Sequence, residues 1–328
     1  MSLVEEIVCR GAPRDLGLDQ GVAGREGVRR EVRRAGAADG EQTRRIARDV
    51  RRFFPHTAER AEGLALGAQV SEARLAQLLG RELSLEGSAV RRATSGLALA
   101  IAPERSGAGA LVGRSLDLPR ESPPGLRVRR SLPENDYRSV EIVLPWLVSP
   151  VAGVNEHGLA ATVTSVPPAG GALEDCLAPA SLLVQDCLQR FDRVDKAVEW
   201  CERRPAGGSA SIVLADARGA VASVHVDGRV RRRRSPGQGV VVGLGRSLRC
   251  STAEKVCLAA DPCDVESLLA LLRSHDGTLR GDDDSTCRHG EDQETAGLVI
   301  LDPAEGRMLF LDETPCRAGP RSERWVAA

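Results

Sequence analysis

Arg92-Ala93-Thr94-Ser95-Gly96-Leu97-Ala98-Leu99-Ala100-Ile101 is the stretch on which the fold turns. It leaves a basic, turn-like segment and enters a run of small and apolar residues. Before it the apolar residues recur at helical spacing; from Ala93 onward they recur at strand spacing. The change of period marks a change of architecture within one chain.

Upstream, Glu5 to Cys9 alternates weakly and predicts a short strand. Glycines at 11, 17 and 21, with Pro13 among them, predict a glycine turn and then a helix. Residues 26 to 80 carry Ile46, Val50, Phe53, Leu64, Leu66, Val70, Leu75, Leu78 and Leu79 at helical spacing. Pro55 divides this region into at least two helices. Residues 83 to 92 are expected to form a loop.

Downstream, residues 97 to 101 and 109 to 117 predict two strands around the loop 103 to 108. Residues 119 to 133, rich in proline and arginine, are expected to form a surface loop. Residues 139 to 144 and 159 to 164 predict further strands, and residues 181 to 203 a second helical stretch. Residues 209 to 226 read as a β-hairpin turning at Asp216 to Gly219. Residues 251 to 272 read as helix interrupted near Pro262. Strands 297 to 301 and 308 to 311 flank the turn Asp302-Pro303. Arg229 and Arg231 to Arg234 form the densest basic run. Aromatic residues do not interleave it, so a solvated strand edge is expected in place of a nucleic-acid surface.

Three segments carry chemistry. The first is residues 92 to 101. The second is Gly113-Arg114-Ser115-Leu116-Asp117, and the third is Asn155-Glu156-His157-Gly158-Leu159. Together they resemble the penicillin acyltransferase-like family of N-terminal-nucleophile (Ntn) hydrolases. That family begins its catalytic chain with Cys-Thr-Ser and continues with Gly-Arg-x-x-Asp and Asn-Glu-x-Gly-Leu. Cys287-Arg288-His289, Thr295 and Pro315-Cys316 extend the likeness towards the C-terminus. The resemblance implies an αββα sandwich of two antiparallel sheets covered by helices, as one domain over 1–328. Processing between residues 92 and 93 would divide it into 1–92 and 93–328.

The chemistry of such a site is self-contained. Cleavage frees an α-amine beside the nucleophile, and an α-amine with an ordinary pKa of about 8 accepts a proton near neutral pH. No separate catalytic histidine is needed, and the five histidines show no obvious grouping in the sequence. The resemblance implies that Asp117 accepts a hydrogen bond from the new α-amine, that Arg114 pairs with Asp117, and that Asn155 orients the amine or the oxyanion. Side chains three apart on a regular strand face opposite ways, so Arg114 and Asp117 can share a site only through a bulge or at the strand end near Pro119. The reading of Asn155 as a turn residue before Gly158 stands beside the catalytic one. The family's second oxyanion Asn is missing, because residues 241 to 246 read Val-Val-Gly-Leu-Gly-Arg. Arg249 is a loose match to an arginine of the family's substrate pocket and receives no role.

Position 93 departs from the family: it is alanine, which has no atom to attack a peptide bond. The chain is therefore expected to stay uncleaved and inactive. Three accounts stand. A Cys-to-Ala change that traps the precursor is favoured by the presence of Arg114, Asp117 and Asn155. A natural pseudoenzyme that binds a small molecule is favoured by the missing Asn. Use of Thr94 after removal of Ala93 would shift the site by one residue.

Composition bounds the partners. Apolar residues make up 42% of the 328, enough for a buried core, while aromatics at 2% leave that core to Ala, Val and Leu. The net charge of -1 gives no bulk attraction to nucleic acid or anionic membrane. The N-terminal residues lack a basic then apolar leader, and no run has the length of a membrane span. A cytoplasmic protein acting on a small acylated amine is expected, without nucleic-acid or membrane partners and without a cofactor. The nine cysteines include no C-x-x-C pair, so they are read as buried hydrophobes and no metal site is expected.

Overall fold

In this computed structural model the described residues are 5–36, 40–83, 95–120, 125–166, 176–243, 247–275, 284–290, 293–319 and 322–328. The expected loop 83 to 92 and Ala93 lie almost wholly outside them.

Two sheets stack face to face. The larger runs β1 (Glu6–Gly11), β4 (Arg127–Pro133), β5 (Ser139–Val143), β6 (Ala152–Asn155), β7 (Leu159–Ser165), β8 (Ser209–Asp216), β9 (Val221–Asp227) and β10 (Val230–Arg234). The smaller runs β11 (Val240–Val242), β2 (Ala98–Ile101), β3 (Leu111–Pro119), β12 (Gln293–Asp302), β13 (Arg307–Leu311) and β14 (Arg324–Ala327). Every ladder is antiparallel except β1 with β4, which is parallel and departs from the expected pattern. Joining parallel strands takes a long crossover, and here it contains the helical N-terminal region and then β2 and β3 of the smaller sheet.

Alternation in β2 and β3 builds the smaller sheet's two faces. Ala98, Ala100, Val112, Leu116 and Leu118 belong to the core between the sheets. Leu97, Leu99, Ile101 and Leu111 join a second core beneath α9 (Ser247–Ala259) and α10 (Val265–Arg273). Alanine on the inner face lets the sheets approach. Leucine on the outer face meets helix, where each fully buried side chain stabilises by about 1.5–3 kcal/mol.

The larger sheet is covered by α1 (Pro13–Ala23), α2 (Arg25–Arg34), α3 (Gly40–Phe53), α4 (Pro55–Ala68) and α5 (Glu72–Gly80), and by α7 (Leu182–Arg190) and α8 (Val194–Arg203). A single helical turn, α6 (Pro103–Ser106), joins β2 to β3. The glycine spacing near the N-terminus serves a helix crossing more than a turn. A Cβ on Gly17 of α1 would lie 1.9 Å from the Arg60 carbonyl oxygen, and one on Gly63 of α4 would lie 1.8 Å from that of Arg14. The two backbones therefore touch, which any larger residue would prevent.

The segment expected to be a loop over 119 to 133 holds a strand at its end, β4. Its arginines concealed it. Arg129 is fully buried and paired with Glu141, so a charged residue occupies a core position. The basic run 230 to 234 forms the edge strand β10 and is mostly exposed, as a solvated edge should be. Among the described residues no helix is long and apolar enough to cross a membrane.

Candidate active site

Asp117 lies at the end of β3, fully buried. Its carboxylate accepts from Arg249 Nη1 at 2.5 Å and Nη2 at 3.3 Å, from Thr295 Oγ1 at 2.9 Å and from Ser115 Oγ at 3.5 Å. Arg249 comes from the first turn of α9 and Thr295 from β12. A β-bulge in β12 between Thr295 and Gly297 sets Thr295 directly across from Asp117. Burial alone would raise the Asp117 pKa; the charge and hydrogen bonds of Arg249, helped by Thr295, outweigh it and hold the carboxyl below its ordinary value. The same pairing raises the Arg249 guanidinium against its own burial. The pair is therefore fully ionised at neutral pH.

The segment leading into β2 is fastened to this pair. Ser115 Oγ accepts from Leu97 N and from Arg249 Nη2, both at 2.9 Å, and Asp117 N donates to Ser95 O at 3.4 Å. Gly96 between them has φ +139°, and a Cβ there would sit 2.2 Å from the Ser115 carbonyl oxygen. Only glycine fits that conformation and that approach. Glycine after Ser95 is thus a steric requirement of the β2–β3 junction. It brings the chain, at two residues from position 93, to the Asp117 backbone.

Arg114 does not take the place expected for it. It faces the opposite side of β3 from Asp117, as its spacing on a regular strand demands, and the bulge lies in the neighbouring strand instead. Its Nη1 crosses to the larger sheet, donating to Thr162 Oγ1 at 3.3 Å and to the Val163 carbonyl. Burial first, then the nearby Arg249 charge against the opposing help of Asp117, brings its guanidinium down to about 9, still charged at neutral pH. Arg249 is the ion-pair partner of Asp117, and Arg114 bridges the two sheets beside it.

Asn155 is not part of this group. Its Nδ2 donates to the carbonyls of Leu188 and Phe191 at 2.8 Å each, and its Oδ1 accepts from His157 N at 3.1 Å and Leu159 N at 2.8 Å. Two donors and two acceptor positions are all used. The residue closes the β6–β7 turn and caps the end of α7, on the helix-covered face of the larger sheet. What β7 brings to the junction is Thr162, Val163 and Thr164, the last donating from Oγ1 to Gly96 O at 2.8 Å.

Ala93 lies outside the described residues, so the structure brings together Arg114 and Asp117 around the chain that leads to it and sets Asn155 apart. Arg249, Ser115 and Thr295 are the members that sequence reasoning did not assign. Arg249 and Thr295 stand more than 130 residues from Asp117 along the chain. Only the loose family match hinted at the first, and Thr295 was legible only as part of the C-terminal likeness. The histidines are not all scattered: His275 and His289 meet, with Cys287 and Cys316 beside them.

No family model matches the chain, and no curated protein matches it. Among solved structures it is similar to a Caenorhabditis elegans ortholog of N-acylethanolamine-hydrolyzing acid amidase, with 12% identity over 63% of this chain and 93% of that one and a TM-score of 0.50. It is also similar to penicillin V acylase from Agrobacterium tumefaciens, at 17% identity, 66% and 82% coverage and a TM-score of 0.44. A mutant of the conjugated bile acid hydrolase from Clostridium perfringens follows at 12% identity, 70% and 92% coverage and a TM-score of 0.43. At such identities the likeness concerns the fold and not the chemistry. Two stacked sheets between helical layers make this an αββα sandwich, the fold it shares with the amidase.

Proposed function

We propose that this chain is built on the plan of an amide hydrolase acting on a small acylated amine, with residue 93 as the position of the nucleophile. One observation carries the reading: a buried, ionised carboxylate, Asp117, is held at the β2–β3 junction, bonded through its backbone to Ser95 two residues after position 93. An α-ammonium released by cleavage after Arg92 would find its counter-charge there. The amidase that shares the fold is named for hydrolysing N-acylethanolamines, which supports the same reaction class. Arg249 and Thr295 would fix the carboxylate, and Arg114 would fix the β7 edge of the pocket. Water is the default acyl acceptor, because transfer to an amine needs a pocket that excludes water.

The alanine at 93 means that this chain performs no acyl transfer as it stands. A reading as a small-molecule binding protein in the same fold is favoured by that alanine and by the absence of Asn over 241 to 246.

Replacing Ala93 by Cys decides between them. The thiol would add to the Arg92 carbonyl and the acyl group would pass from nitrogen to sulfur. Water would then release the thioester, giving fragments 1–92 and 93–328 with the cut after Arg92. Mass spectrometry of the folded variant should find both fragments. A well-folded Ala93→Cys protein that remains intact over days makes the binding protein the better account.

A further inference from the structure

We propose that His275, Cys287, His289 and Cys316 form a closed four-ligand site for a zinc-type divalent cation. Their four ligand atoms all lie within 4.8 Å of one another. His275 Nε2 and His289 Nε2 are 3.1 Å apart, Cys287 Sγ and His289 Nε2 3.6 Å, and His289 Nε2 and Cys316 Sγ 3.2 Å. Zinc bonds of about 2.05 Å to nitrogen and about 2.3 Å to sulfur put neighbouring tetrahedral ligands roughly 3.3–3.8 Å apart. The observed edges lie within a few tenths of that range. The two imidazole planes stand at 86°, so both rings aim a nitrogen inward without stacking.

The donor set selects the metal. Two thiolates and two imidazoles suit zinc, and among the described residues no carboxylate belongs to the group, as magnesium or calcium would require. Four protein ligands leave no position for a reacting water, which marks a structural site. The ligands come from three separate pieces of chain. His275 follows α10, Cys287 and His289 sit in residues 284 to 290, and Cys316 lies in the 3₁₀ turn Pro315–Arg317. The pieces are already aligned by Cys287 N to Ser274 O at 2.8 Å and Ser285 Oγ to His275 O at 3.1 Å.

The site adjoins the Asp117–Arg249 pair through the residues on either side of Cys287. Thr286 O accepts from Arg249 Nη2 at 2.5 Å. Arg288 N donates to Thr295 Oγ1 at 2.9 Å, and that hydroxyl in turn donates to Asp117. A metal clamping Cys287 therefore holds the backbone that positions two of the partners of Asp117, Arg249 and Thr295.

The test uses the full chain as it stands and needs no activity. The purified protein should carry stoichiometric zinc by elemental analysis. After stripping with chelator, added Co(II) should give the intense visible bands and the thiolate charge-transfer absorption of tetrahedral cobalt–sulfur coordination. Zinc should raise the melting temperature of the stripped protein, and Cys316→Ser should abolish that rise together with the cobalt spectrum. Three results would each overturn the proposal. They are failure of the natively folded wild-type chain to bind zinc or cobalt, a Cys287–Cys316 disulfide found by peptide mapping of freshly purified protein, and an unchanged cobalt spectrum in Cys316→Ser.

Discussion

Among the described residues two guanidinium–carboxylate pairs are buried, one with its carboxylate on each sheet, and they differ in what surrounds them. Arg129 Nε donates to Glu141 Oε2 at 2.6 Å. The rest of that guanidinium is taken up by Gln20 of α1, by Gln185 of α7 at 2.7 Å and by the Val148 carbonyl at 2.9 Å. Ser139 and Gln185 complete the carboxylate. Apart from the Val148 carbonyl, side chains on helices and strands supply the contacts to this charge. The Asp117–Arg249 pair leans instead on pieces that are not repetitive: the Ser95 and Gly96 peptides, the Thr286 carbonyl and the bulge at Thr295. The Arg129 pair ties the larger sheet to α1 and α7, whereas the Asp117 pair is bordered by backbone outside regular elements, which suits it to the counter-charge role proposed above.

The largest effect should come from removing one partner. Arg129→Met and Arg249→Met each leave a buried carboxylate unmatched and should cost about 3–5 kcal/mol. Urea denaturation measures both, and a loss under ~1 kcal/mol in either would show that water reaches the abandoned charge. Removing both partners separates the pairs. Arg129→Met with Glu141→Leu should recover most of the lost stability, because apolar replacement of a buried pair is often neutral or better. In an Ala93→Cys background it should leave amide hydrolysis by the cleaved protein intact. Asp117→Leu with Arg249→Met should recover stability likewise yet abolish that hydrolysis, because the new α-ammonium loses its carboxylate partner. Equal activity in both double variants would erase the functional distinction between the pairs.

Asn155 sharpens the contrast at a smaller scale. Asn155→Ala strips four hydrogen bonds, two of them buried, and should destabilise by about 2–4 kcal/mol. Cleavage by well-folded Ala93→Cys/Asn155→Ala should keep its rate; a fall of tenfold or more would return Asn155 to the site.

The smallest effects are in pH. Burial raises Glu141, but Arg129 and Arg60 outweigh it, so Glu141 and Asp117 both titrate lower when folded. Each contributes stability that is complete above about pH 4 and lost as the pH falls through the folded value. Glu82 behaves in the reverse sense. Burial lifts it to about 7 despite a hydrogen bond from Ser181, and its Oε1 finds no partner among the described residues. Its folded form favours the proton, so its contribution fades as the pH rises from about 4.3 through 7. Glu82→Gln should raise the urea midpoint at pH 8 and leave it nearly unchanged at pH 4. Equal shifts at both would mean that the carboxylate is solvated.

Legibility of the fold followed periodicity. Alternation over 97 to 101 and 111 to 118 was readable because each position on those strands meets one kind of neighbour, sheet or helix. The hairpin at Asp216 to Gly219 was readable for the same reason. β4 was not, because Arg127, Arg129 and Arg130 resemble a solvated surface until Glu141 is known to lie across from Arg129. In the candidate site, Arg114 and Asp117 were visible as a motif within one strand. Their true partners are set by contacts over long stretches of chain, which no local pattern encodes. Asn155 carried both a turn reading and a catalytic one because turn asparagines and site asparagines share a sequence context, and the saturation of its amide favours the turn.

The parallel ladder of β1 with β4 bears on how separable the N-terminal portion is. Residues up to 83 supply the outermost strand of the larger sheet, the Gln20 amide that meets Arg129, and Arg60, which meets Ser131 at 3.1 Å. A chain opened before residue 95 would therefore remain a tightly docked heterodimer, its two polypeptides sharing one sheet and one buried charge. Dissociation would bare the β4 edge to any other strand and open Arg129 to water. Residues up to 83 thus cover the β4 edge, so the segment after residue 93 should be soluble only when it is co-expressed with the N-terminal segment.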